Sequence, residues 1–224
     1  MDSQFLCVAA VAAVSMVGSA MGATTVSPLA GGDAAFNALT NNGTLERAVV
    51  EARIGDSPAG GTWEQAIWKL GAVGQPQTSG QFAWTSGVLV PFTFAFDGAS
   101  TVTFSLGSST QTWNAVEGSF TDIFVCVRST SNSSIALTQM SVSGLGAIAD
   151  LTSSGAVPAA YLRISNTNAF GAVSISGQME LSWTGQRPNG SGLAAQIKFS
   201  NIPTPGAAAV LGLAGLVATR RRRA

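Results

Sequence analysis

The side chains able to do chemistry are few. The 224-residue chain holds eleven acids, eleven bases, two cysteines and five tryptophans, and no histidine. Without an imidazole there is no His-dependent triad, no His metal ligand and no acid–base group that titrates unperturbed near neutrality. Carboxylates remain. A glycosidase sets two of them about one bond, and two on one strand face need a spacing of i, i+2 or i+4. Glu46 and Glu51 are five apart and fall on opposite faces of a strand. Glu180 stands alone on the polar side of an alternating run. No Gly-x-Ser-x-Gly, Ser-x-x-Lys or phosphate-loop pattern accompanies the many serines. Cys126 sits in the strand-like run 123–127 and reads as a small buried hydrophobe, with no imidazole to activate it. The expectation is a protein without enzymatic activity.

Binding is the other chemistry these residues offer. Aromatic faces pack against the apolar side of sugar rings, so Trp63, Trp68, Trp84, Trp113 and Trp183 are candidate stacking platforms. Trp113, between Gln111, Thr112 and Asn114, is the foremost candidate for an exposed ring. Trp63 and Trp68 fall on opposite faces if 62–70 is one strand, which would expose one of them. Trp183 follows an apolar alternation and is assigned to the core. A structural calcium needs only oxygen ligands. Asp33, Asp56, Asp97 and Asp150 lie in predicted loops and are its candidates, although no Asp-x-Asp-x-Asp run occurs. No other cofactor is expected.

The elements that must position these residues are strands. Val88, Val90, Phe92, Phe94 and Phe96 alternate, Asp97-Gly98 marks a primed turn, and Val102, Phe104 and Leu106 alternate again, which predicts a hairpin. A third alternation carries Val173, Ile175, Met179, Leu181 and Trp183, interrupted by Gly177 at a bulge or close approach. Further strands are predicted at 45–54, 62–70, 81–85, 121–128, 134–142, 160–165 and 194–200. Alternation of this kind suits antiparallel sheets with one wet face. About nine or ten short strands separated by turn residues point to a β-sandwich, jelly-roll-like in winding. One short N-terminal helix is expected over 34–41, capped by Asp33, with Phe36 and Leu39 facing inward and Gly43 past its end. Residues 143–159 read as a long loop.

The two ends read as addresses. Residues 5–17 form an uncharged apolar run followed by small residues, and Ala20-Met21-Gly22 fits a cleavage site before Ala23, so 1–22 is read as a secretory signal peptide. Residues 23–201 are the predicted sandwich domain and 202–224 the tail. In the tail, Pro203, Thr204, Pro205 and Gly206 precede the uncharged stretch 207–219, which Arg220, Arg221, Arg222 and Arg223 follow. A helix over 207–219 would be roughly 20 Å long against a hydrocarbon core of about 30 Å. It would insert marginally, with the arginines held on the cytoplasmic side. The prolines keep the backbone upstream extended and open to a protease. Without the two ends the body keeps ten acids and seven bases, a net charge of −3. That gives no basic footprint for nucleic acid or anionic lipid.

The order Pro-x-Pro, short apolar helix, arginine cluster resembles a PEP-CTERM sorting signal, the tail processed by exosortase in certain Gram-negative bacteria. The family's triplet is Pro-Glu-Pro, whereas here it is Pro203-Thr204-Pro205. The resemblance implies an exosortase-type membrane protease as partner, transient inner-membrane insertion through 207–219, and a final place at the cell surface or in an exopolysaccharide matrix. The body is similar to the choice-of-anchor W domain. The similarity rests on Arg53-Ile54-Gly55, Thr62-Trp63-Glu64, Phe82-Ala83-Trp84, Leu162-Arg163-Ile164, Ser182-Trp183-Thr184-Gly185 and Ala195-Gln196-Ile197-Lys198. It implies a surface module and carries no activity with it.

Overall fold

A computed structural model describes residues 23–40, 46–55, 63–69, 76–155 and 158–202. The expected signal peptide, the helix end at Gly43, Asp56, the sorting residues Pro203–Gly206, the apolar stretch 207–219 and Arg220–Arg223 lie outside the described residues. The described chain forms β1 (Thr24–Leu29), α1 (Gly32–Thr40), β2 (Glu46–Arg53), β3 (Gln65–Trp68), β4 (Thr78–Gly80), β5 (Leu89–Phe96), β6 (Val102–Leu106) and β7 (Ser109–Trp113). It continues with β8 (Asp122–Arg128), β9 (Ser133–Val142), β10 (Gly146–Ala147), β11 (Leu151–Ser154), β12 (Ala159–Asn166), β13 (Val173–Trp183) and β14 (Ala194–Ser200).

Two antiparallel sheets pack face to face. One runs β1-β12-β8-β14-β2-β3-β4, the other β10-β9-β13-β5-β6-β7, with β11 also on β9. The pairs β2–β14, β5–β13, β8–β12 and β9–β11 nest, the earliest strand against the latest and so inward. A long hairpin wound about a barrel axis gives this nesting, and it is the jelly-roll connection. The alternation does the work: Phe92, Phe94, Phe96, Val102, Phe104, Leu106, Ile175, Met179 and Leu181 all point between the sheets and are buried. Phe120 joins Phe96, Phe170 and Phe199 at centroid distances of 4.9–5.6 Å, closing one end of this core.

Several expectations are corrected. The predicted strand at 81–85 is irregular, and the strand beside it is β4. The stretch 143–159 is not one loop: it holds β10 and β11, both hydrogen-bonded to β9. The β5–β6 connection is longer than a primed two-residue turn. Asp97 Oδ1 accepts the amides of Ala99, Ser100 and Thr101 at 2.8–3.0 Å while Gly98 takes φ +88°. These backbone donors, Thr101 first, pull the Asp97 carboxyl down to about 2. The bulge lies where expected. The β13–β9 register shifts between Ser176 and Gln178, and Gln139 opposite takes a φ of 51°.

Helix α1 starts two residues earlier than predicted, so Asp33 is in its first turn and not its cap. Its carboxylate instead reaches the sheet, accepting from the Tyr161 hydroxyl and from Arg128 at 2.5 Å each. Phe36 is buried as expected and meets Phe124 edge-on at 4.8 Å and stacks on Tyr161 at 5.4 Å. This makes a second, small apolar cluster on the outer side of the first sheet.

Candidate functional site

Strand direction gives the sandwich two poles. At one pole the Ala23 carbonyl accepts from Thr167, the Thr121 carbonyl accepts from Asn166, and the Ile202 amide donates to Thr121 Oγ1. Residues 23 and 202 therefore sit at the same pole, with β12 and β8 between their strands. The opposite pole, roughly 25–35 Å away by strand rise, holds the ends of β2 and β8 and the start of β5 with their partners.

Charge and aromatic rings concentrate at this far pole. Arg53, at the end of β2, lays its guanidinium over the Trp63 ring at 3.6 Å. Its Nε donates to the Trp63 carbonyl at 3.0 Å and Nη1 to Ser191 Oγ at 2.6 Å. Trp84 Nε1 donates to the Arg53 carbonyl at 2.9 Å. Glu64 is buried, accepting from the Gly55 amide at 2.9 Å and from Arg187 at 3.0 Å. A guanidinium forked over a ring and a carboxylate split between an amide and an arginine hold three segments distant in sequence in one geometry.

Trp63 and Trp68 come together here, their rings edge-on at 6.0 Å. They are not on one strand, because β3 begins only at Gln65. Both are half-buried. Trp113 is corrected outright: it is 9% exposed and belongs to the core. The polar residues around it misled because β7 lines the seam between the sheets. There Gln111 Oε1 accepts from Thr78 at 2.6 Å, and Gln65 Nε2 donates to the Phe104 carbonyl at 2.8 Å. Trp183 packs against the core as assigned.

The outer face of the first sheet carries a largely buried polar row. Glu51, Gln196, Cys126 and Tyr161 lie directly across from one another on β2, β14, β8 and β12. Burial pushes the Glu51 carboxyl up to about 7, against the pull of the Gln196 hydrogen bond and of Arg53, Lys198 and Arg128. Burial likewise raises the Cys126 thiol, which leaves it poorly ionised and unreactive. Lys198 pairs with Glu46 at 3.6 Å and lies 4.3 Å from the Phe36 ring.

The candidate calcium carboxylates are engaged elsewhere: Asp33 with Tyr161 and Arg128, Asp97 with its own loop, and Asp150 with the Gln139 amide at 3.0 Å. Among the described residues no group of three or more acidic, Cys or His side chains is placed to hold a metal. None of the described helices is long and apolar enough to cross a membrane.

The second sheet has a groove that no sequence motif marks. It has a volume of about 380 Å³ and is lined by Ser134, Ala136, Thr152, Ser154 and Glu180, with Ile135 and Ser153 beneath. Its signal was present as the small polar residues alternating with apolar ones on β9, β11 and β13, which sequence alone reports only as a wet face. Comparison with protein-family models gives no match, and comparison with curated proteins gives none either.

Proposed function

We propose that this chain is a non-enzymatic, exported surface protein. In this reading residues 1–22 direct export, 207–219 with Arg220–Arg223 hold the chain in the inner membrane, and an exosortase-type protease acts at Pro203–Gly206. The sandwich is then released or attached at the cell surface, with the exopolysaccharide matrix as its surroundings. The observation that carries the reading is the order of Pro203-Thr204-Pro205, an uncharged stretch and four consecutive arginines. The body supports it: its last strand closes at Ser200, and residues 23 and 202 sit at one pole, so both addresses are attached at the same end.

The test is the intact mass of the protein recovered from its native cell surface or medium. A species beginning near Ala23 and ending within 203–206 is expected. A species that still carries Arg220–Arg223 would sink the sorting reading.

A second reading is glycan binding through tryptophan, favoured by the half-exposed edge-on pair of Trp63 and Trp68. Depletion of the protein on polysaccharide beads, compared with Trp63→Ala and Trp68→Ala, tests it. Retention that survives both changes would remove those rings from the account.

A further inference from the structure

The geometry points to the groove on the second sheet as a binding site for a neutral oligosaccharide. Leu89, Glu180, Ala136 and Thr152 lie directly across from one another on β5, β13, β9 and β11. Four strands at the usual spacing make this row about 14 Å long. Ser182, Ser134 and Ser154 form the next row on the same face. Small side chains at Ala136 and the serines leave the groove open between Glu180 and Thr152.

The donor and acceptor pattern selects the ligand. Glu180 Oε1 is held by Ser182 Oγ at 2.8 Å, which leaves Oε2 to accept from a ligand hydroxyl. The hydroxyls of Ser134, Thr152 and Ser154 can each donate or accept. Neighbouring hydroxyls on a sugar ring match such a set, since each is also both donor and acceptor. Leu89 is 52% exposed at one end of the row and Val88 beside it 47%, an apolar surface suited to the C–H face of a pyranose.

Other occupants fit less well. The groove is lined by a carboxylate and by no Lys or Arg, so an anionic polymer is repelled. A single carboxylate among hydroxyls is a poor cation site, because calcium takes six to eight oxygens with several charged. β9 and β13, which floor most of the groove, are paired on both sides, so a peptide strand could join only along the outer edge of the four-residue β11.

The experiment is calorimetric titration of the purified protein with maltotetraose, cellotetraose and mannotetraose, and with tetragalacturonate as the anionic probe. Binding of at least one neutral probe is expected, at least tenfold weaker in Glu180→Gln and lost in Ala136→Trp, where the ring fills the groove. Thr152→Val is expected to weaken binding, and Glu117→Gln, an exposed carboxylate outside the groove, to leave it unchanged. Circular dichroism of each variant checks folding. No heat with any neutral probe at 10 mM overturns the inference, as does undiminished binding in Glu180→Gln or a preference for tetragalacturonate. Loss of binding in Trp63→Ala alone would move the site to the Arg53–Trp63 cluster and overturn it too. The inference is independent of sorting: a protein cut at 203–206 that binds no sugar loses only this site, and an uncut one that binds keeps it.

Discussion

Tyr161 donates its hydroxyl to Asp33 across 128 residues of sequence, fixing α1 to the outer side of the first sheet at 2.5 Å. Arg128 approaches the same carboxylate from β8. Burial pushes the Asp33 carboxyl up, but these two partners together outweigh it and hold it below its ordinary 3.8. A lowered folded-state value stabilises the fold above the unfolded value and is lost as pH falls through the folded one. Tyr161→Phe is expected to cost about 1 kcal/mol in urea unfolding at pH 7. Asp33→Asn should flatten the loss of stability below pH 4. An unchanged acid limb in that variant would count against the assignment.

Glu51 acts with the opposite sign. Its carboxyl titrates near 7 in the folded protein and at an ordinary 4.5 when unfolded. Below pH 4.5 both states are protonated and the residue costs nothing. Between 4.5 and 7 the folded state keeps a proton that the unfolded state releases, so stability falls as pH rises. The full loss above pH 7 is of the order of 3 kcal/mol. Burial also raises Glu46, and the chain has no histidine to mask the effect. Unfolding midpoints measured from pH 5 to 8 should fall steadily in the native chain and fall markedly less in Glu51→Gln, where only the Glu46 contribution of that sign remains.

Gly177 sits where the β13–β9 ladder slips. A Cβ there would meet the Thr138 carbonyl oxygen at 2.8 Å, a Phe92 ring carbon at 3.1 Å and Met140 Cα at 3.3 Å. Two of those atoms are backbone and cannot swing aside. Gly177→Ala is expected to destabilise by roughly 1–3 kcal/mol, read from the denaturant midpoint. A neutral result would show that the bulge relaxes at no cost.

Trp113 offers a clean contrast between packing and binding. Removing its buried ring in Trp113→Ala should cost roughly 3–5 kcal/mol. A surface stacking residue would change stability by less than about 0.5 kcal/mol. Chemical denaturation distinguishes the two.

The core strands were legible because each buries one face across nearly its whole length. Phe92, Phe94 and Phe96 alternate with residues facing water, and no other periodicity fits them. The edges were not. β10 and β11 are two and four residues long and built of Gly, Ala, Leu, Thr and Ser, so nothing in their composition marks the pairing with β9, whose partners lie 4–6 residues back for β10 and 14–20 back for β11. Trp113 was misplaced for a related reason: where two sheets meet at a seam, inward positions carry amides bonded across the gap, and polarity stops reporting exposure. Asp33 looked like a helix cap because its local sequence fits one. Its partners, Tyr161 and Arg128, come from strands that only the fold brings near. The groove at Glu180 was invisible in the same way, since three strands contribute to it and none carries a distinctive motif.

The strand that ends beside Ile202 is β14, and it lies in the middle of its sheet. Seven register pairs join it to β2 and seven to β8. A pull on the chain beyond Ile202 therefore runs along a strand clasped on both sides. Its hydrogen bonds lie across the line of force and are loaded together, in shear, and cannot be peeled one rung at a time as they would be at an edge. A body held by this end under flow would keep its shape until both ladders failed at once.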